Sequence, residues 1–191
     1  VVRGAEAILT SSADPSVTQA ANMVLEAARR GTHLTSELME IARPGQHSSR
    51  VIRPATVVSE QAPLLRKAVG DKHRLVIHPG EAGGRVLIAP EQLERLVHNL
   101  VLNAWDAMPG GGEITVLLNA VDVVDDSGAA GKFQLVEVAD HGEGIPPHVL
   151  PRIFDPFFST KPRGMGTGLG LAVVSQIAAY AGGFVRVESE L

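Results

Sequence analysis

The chain has 191 residues, of which 45% are hydrophobic and 20% charged, with a net charge of −4 and no cysteine. That length buries a sizeable core in one or two domains. The acidic balance argues against nucleic acid or an anionic membrane as default partner, and the lack of cysteine excludes disulfide scaffolds and cysteine-rich zinc sites. No apolar run reaches the roughly 20 residues of a membrane-spanning helix, and no basic-then-apolar leader opens the chain. The expectation is a cytoplasmic segment, with any membrane attachment outside it.

In chain order, Asp14-Pro15 reads as an N-cap followed by a first-turn proline, opening a long helix. Val17, Ala20, Val24, Ala27, Gly31, Leu34, Leu38 and Ile41 alternate spacings of three and four, the heptad seam of a bundle, and Pro44-Gly45 ends it. With residues 1–11 as the tail of a partner helix, residues 1–48 form a partial helical hairpin. Such a hairpin either dimerises into four helices or docks on its own domain, since both bury one apolar stripe.

Residues 49–191 alternate short strands and helices. The pattern predicts a helix over 56–69 that Pro63 kinks or breaks, strands at 75–77 and 86–88, and a strong helix over 91–108 closed by Pro109-Gly110-Gly111-Gly112. Strands at 114–121 and 133–139, a short helix at 146–153, a mobile loop at 159–165, a helix over 168–181 and a final strand at 184–188 follow. This mixture implies an α+β fold, a sheet with helices packed on it.

On the helix over 91–108, Leu93, Leu96, Leu100, Ala104 and Ala107 share the face expected to meet the sheet. Asn99, Asn103 and Asp106 form a narrow polar stripe beside it. This is either a solvated surface or a site, because asparagine is a poor helix-interior residue and its amide oxygen suits Mg²⁺. Asp140, at a strand end before Gly142, Gly144 and Ile145, either makes an ordinary turn or turns a carboxylate towards an adenine amine. The run from Gly164 through Gly166, Thr167, Gly168, Leu169, Gly170 and Leu171 opens a helix, as a flexible hinge or a polyphosphate cradle; it lacks the ending of a P-loop. Between them, Phe154, Phe157 and Phe158 supply three of five phenylalanines. They are either core or the base of a lid that carries Thr160, Lys161 and Arg163.

Taken together, Asn-Leu-x-x-Asn-Ala (99–104), Asp-x-Gly-x-Gly-Ile (140–145), Phe-x-Pro-Phe-Phe (154–158) and Gly-x-Gly-Leu-Gly-Leu (166–171) resemble, in order and spacing, the nucleotide-binding boxes of sensor histidine kinases. The resemblance covers residues 50–191 and, more loosely, the hairpin. It implies the two-layer α/β sandwich of the GHKL (Bergerat) fold, ATP and Mg²⁺ as cofactors, a homodimer through the hairpin, and a response regulator receiver domain as partner. By position, Asn103 resembles the Mg²⁺-ligating asparagine and Asn99 its companion at the phosphate–metal unit. Asp140 resembles the adenine-recognising aspartate, with Gly142, Gly144 and Ile145 around it. Gly166, Gly168 and Gly170, with Thr167, Leu169 and Leu171, match the phosphate-side box; Asp106, Phe158, Thr160 and Lys161 are placed in the same ATP site. ATPases of the wider superfamily carry a water-activating glutamate where this chain has Asn99. An amide is a poor general base, so the resemblance implies a kinase.

None of the seven histidines has the context of a phosphoacceptor, and the resemblance places that residue just upstream of Val1. The family's last glycine–threonine motif is likewise expected beyond Leu191. Two alternatives stand beside the histidine kinase: a GHKL serine kinase of the anti-sigma type, which the heptads disfavour, and a non-catalytic phosphorelay or dimerisation module.

Overall fold

The computed structural model describes residues 7–9, 14–42, 48–80, 84–124, 130–161 and 166–191. The chain divides into two compact units, 1–42 and 43–191. The first is dominated by helix α1 (Pro15–Ala42). Its start follows the sequence: the Ser16 N–H and hydroxyl both donate to Asp14 Oδ1, at 2.8 and 2.7 Å, and the Thr18 N–H donates to the Asp14 carbonyl at 2.9 Å. These bonds, the Ser16 hydroxyl foremost, hold the Asp14 carboxyl below the ordinary carboxylate pKa. The expected Pro44-Gly45 stop and residues 1–6 of the partner helix lie outside the described residues, as do the side chains of Leu34, Leu38 and Ile41. In the unit itself the described part of the seam is open: Val17 and Val24 are exposed, and Ala21, off the seam, is buried.

The second unit holds β1 (Arg50–Ile52), α2 (Pro54–Val69), β2 (His73–His78), β3 (Val86–Ile88), α3 (Pro90–Asp106), β4 (Gly112–Val124), β5 (Ala130–Ala139), a single 3₁₀ turn at Leu150–Arg152, and α4 (Gly170–Tyr180). Strands β2, β4 and β5 form a mixed sheet. β2 lies parallel to β4, with Leu75 opposite Ile114, and β5 returns antiparallel, with Val138 opposite Val116. The parallel pair requires a crossover, which α3 supplies. On β4, Ile114, Val116 and Leu118 are buried and Thr115 and Leu117 between them half-exposed, so one face of the sheet carries the core. This is the expected α+β architecture.

Several expectations change in detail. β1 was not expected; it pairs antiparallel with β3, Val51 opposite Leu87. α2 starts at Pro54 and runs through Pro63 without a break. The short helix expected over 146–153 is only the 3₁₀ turn. Residues 184–188 form no strand, because a strand needs backbone pairing that alternating side chains cannot supply. Instead Phe184 packs edge-on to Phe133 at 5.6 Å, and the Ile145 N–H donates to Ser189 Oγ at 2.8 Å.

The buried side of α3 also differs from expectation. Leu93, Val97, Val101, Ala104 and Met108 are buried, whereas Leu96, Leu100 and Ala107 are half-buried. The deep face is thus turned towards the valines, because α3 is flanked by α2 as well as lying on β4 and β5, while α4 packs beside it. Burying such a face contributes about 1.5–3 kcal/mol for each valine or leucine. His73 braces the helix ends, its ring nitrogens 3.1 Å from the Val69 carbonyl oxygen and 2.8 Å from that of Met108.

Candidate functional site: four motifs around one helix

α3 is the element on which the motifs meet. Asn99 is buried, with 7% exposure, and its Nδ2 donates to the Gly170 carbonyl at 3.4 Å, tying the helix to the start of α4. One turn on, Asn103 is half-buried, and its Nδ2 is sealed from solvent with no hydrogen-bond partner. A buried amide N–H left unpaired costs on the order of 1–3 kcal/mol, which an acceptor such as a phosphate oxygen would relieve. A side chain at Gly170 would start 3.8 Å from Asn99 Cγ and 3.9 Å from Asn103 Nδ2, so the glycine keeps the space above both amides open. The polar stripe is therefore no solvated surface at these two positions.

At the C-terminal end of α3 the aspartate–glycine loop closes in. The Glu143 N–H donates to the Ala107 carbonyl at 3.2 Å, and Asp140 Oδ1 accepts the Gly142 N–H at 2.8 Å. A Cβ at Gly142 would lie 2.6 Å from both Ala107 Cβ and its carbonyl oxygen, so only glycine allows this approach. Asp140 is exposed, its second carboxylate oxygen available to a ligand. Gly144, at φ +72°, turns under the Glu190 backbone, which brings Ile145 to Ser189.

The third side is built by the phenylalanine run and the glycine-rich stretch. Gly168 has φ +67° and its carbonyl accepts the Phe157 N–H at 2.9 Å, so the two segments are stitched together. Phe157 itself has φ +68° and is 64% exposed, a strained and uncovered position for a phenylalanine. Phe154 and Phe158 are half-buried, and the Arg152 guanidinium lies 4.4 Å from the Phe158 ring centroid. The Thr167 hydroxyl accepts the Leu169 N–H at 3.2 Å at the entry to α4. Leu169 is fully buried, so it anchors the turn and offers no side chain to a ligand. Leu171 is half-buried in the first turn, where amides lack intrahelical acceptors. Thr160 is exposed, and Lys161 forms an ion pair with Asp106. Arg163, Gly164 and Met165 lie outside the described residues.

The structure thus brings Asn99, Asn103, Asp106, Lys161, Gly166 and Gly170 to one side of α3 and Gly142 to its end. Sequence reasoning missed Ala107, whose backbone carbonyl docks the aspartate loop; a small residue just past a helix end is the one signal it left. Among the described residues no group of three His, Asp or Glu could hold a metal ion. The side-chain amide oxygens of Asn99 and Asn103 are hard donors of the kind that suits Mg²⁺.

The site is thus a helix carrying two side-chain amides, flanked by a carboxylate–glycine loop and a glycine-rich helix start. A family profile described as "Histidine kinase-, DNA gyrase B-, and HSP90-like ATPase" matches residues 88–191, more than half of the chain, and the chain belongs to that family. Within it the similarity is to sensor histidine kinases. The chain is 33% identical over 199 residues to sensor kinase CckA of Brucella abortus (strain 2308), covering 100% of this chain and 21% of that protein. It is 30% identical over 174 residues to the sensory histidine kinase/phosphatase NtrB of Salmonella typhimurium, covering 90% and 49% respectively. The chain thus spans from a fifth to a half of these two relatives. The full-length ShkA structure in complex with AMPPNP shares the fold, with TM-score 0.71 and 24% identity over 95% of this chain and 38% of that one. The mycobacterial sensor histidine kinase MprB matches at TM-score 0.57 and 25% identity, over 70% of this chain and 80% of that one.

Proposed function

We propose that this chain is the ATP-binding catalytic core of a sensor histidine kinase. It takes Mg-ATP, passes the γ-phosphoryl to a histidine, and so feeds an aspartate on a response regulator receiver domain. The observation that carries the reading is the Asn103 amide, buried without a partner at the point where the glycine-rich helix start meets α3. Asp140 accepts from the adenine amine, while Gly142, Gly144 and Ile145 shape that end. Asn103, with Asn99 beside it, would hold Mg²⁺, whose charge would neutralise phosphate oxygens. Gly166, Thr167, Gly168, Gly170 and Leu171 present backbone to the phosphates at the start of α4, where the helix dipole adds to the attraction. Phe158 anchors the base from which Thr160 and Lys161 reach the phosphates.

Asn99 cannot act as a base, and its Nδ2 already serves the Gly170 carbonyl. Water is therefore not activated at this position, and the phosphoryl group is kept for another acceptor. The exposed seam at Val17 and Val24 supports a homodimer through the helical region, residues 1–48, with the catalytic domain at 49–191. No described helix is long and apolar enough to cross a membrane; we place this segment in the cytoplasm, whatever anchors the rest.

Calorimetry of Mg-ATP binding tests the site. Asp140→Ala and Asn103→Ala should each weaken affinity about ten- to a hundredfold, the range for a lost bond to a charged or buried polar group. Unchanged affinity in both would sink the assignment. In a chain extended at both ends and given radiolabelled ATP, acid-labile, base-stable label on a histidine supports the kinase reading. Label on a serine of an added partner would favour a serine kinase instead.

A further inference from the structure

Asp106 continues the asparagine stripe of α3. It lies one turn beyond Asn103, and its carboxylate is taken by Lys161 in an ion pair whose side chains are 32% and 34% exposed. Lys161 is also fixed at its backbone and passes close to Gly166. Its backbone N–H donates to Ser159 Oγ at 3.2 Å, and its Cδ lies 3.1 Å from where Gly166 would carry a Cβ. A side chain at Gly166 would also meet Ser159 Oγ at 2.9 Å, so the glycine is what lets the lysine stem pass. The lysine therefore runs from the phenylalanine segment, past the glycine-rich stretch, to α3. A bare carboxylate here would repel a triphosphate; with the ammonium on it, the charge is cancelled until a stronger anion arrives.

We propose that Asp106 is a positioning residue that acts through Lys161. It holds the ammonium on α3 one turn beyond Asn103, and it gives that ammonium up to the β- and γ-phosphates when a nucleoside triphosphate binds. This rests on the ATP-site reading and deepens it: Asp106 is not a ligand of the nucleotide but the counter-ion that Lys161 must leave. The exchange sets a cost on triphosphate binding that a ligand without phosphates does not meet, because only an anion draws the ammonium off the carboxylate.

Two measurements on the whole chain test this. In the first, Asp106→Asn should tighten Mg-ATP about two- to fivefold, the scale of a partly exposed ion pair, and leave adenosine affinity unchanged. In a Lys161→Met background the same substitution should change Mg-ATP affinity by less than half as much. Weaker Mg-ATP binding by Asp106→Asn would make Asp106 a direct ligand, and equal effects in both backgrounds would make it a through-space charge; either overturns the proposal. The second uses no nucleotide. Acylation of Lys161 by an amine-reactive ester, followed by mass spectrometry, should be several-fold faster in Asp106→Asn than in the native chain, with the exposed Lys132 on β5 as internal reference. An unchanged rate rejects the pair even if Mg-ATP binds as expected. If the native chain binds no Mg-ATP while the acylation rate responds, the pair stands, and it is the ATP-site reading on which the exchange depends that has failed.

Discussion

Helices α1 and α3 carry apolar residues at helical spacing, yet their fates are opposite. In α3, Leu93, Val97, Val101 and Ala104 are at most 3% exposed, shut between the sheet and neighbouring helices. In α1, Val17 is 37% and Val24 48% exposed within their own unit. Periodicity encodes that a stripe will be covered, not by what. α3 finds its cover within the same chain, so its stripe contributes to folding stability. In the described part of the α1 stripe, Val17 and Val24 find no such cover.

The comparison is broken most forcefully at α3. Leu93→Ala should cost about 2–5 kcal/mol of the catalytic domain's stability, read as a lower midpoint in urea unfolding. A loss under about 1 kcal/mol would mean that the α3 face is no better packed than the α1 seam. A smaller and different effect is expected at Val24→Asp. Unfolding of the catalytic domain should stay within about 0.5 kcal/mol of the parent, while self-association in sedimentation weakens about tenfold or more. Equal self-association would remove the seam from the dimer reading.

The smallest expected effect sharpens the α1 side alone. The Asp14 carboxyl is stabilised in its charged form by Ser16, so its folded pKa lies below the value of 3.8 that it has without such bonds. Its contribution to the helix is thus complete above that value and lost as pH falls through the lower, folded one. Far-ultraviolet circular dichroism of the helical unit should show a slight acid loss of helicity below about pH 4 that Asp14→Ala abolishes. An identical acid profile in Asp14→Ala would show that the cap does not hold the helix start.

Much of the candidate site could be proposed from the sequence because its residue types are poor choices for ordinary helix and loop positions. Asn99 and Asn103 on a helix stripe, and glycines spaced through 142–144 and 166–170, are costly unless a ligand or a close approach requires them. The two strongly paired strands, β4 and β5, were readable from their length and alternation. β1 was not, since three residues carry too little pattern, and its existence depends on β3 lying opposite. Nor was the absent strand at 184–188, whose alternation is real but whose backbone finds no ladder.

By itself, the sequence determined the class of fold, the order of the four motifs and the helix on which the asparagines sit, because these depend on local spacing and side-chain chemistry. Only the tertiary structure decided which asparagine is satisfied and which is not: Asn99 reaches the Gly170 carbonyl 71 residues away, and Asn103 is left without a partner. It likewise decided that Lys161 rests on Asp106 and that Glu143 hangs from Ala107. Those pairings depend on distances across the fold, which no spacing along one chain encodes.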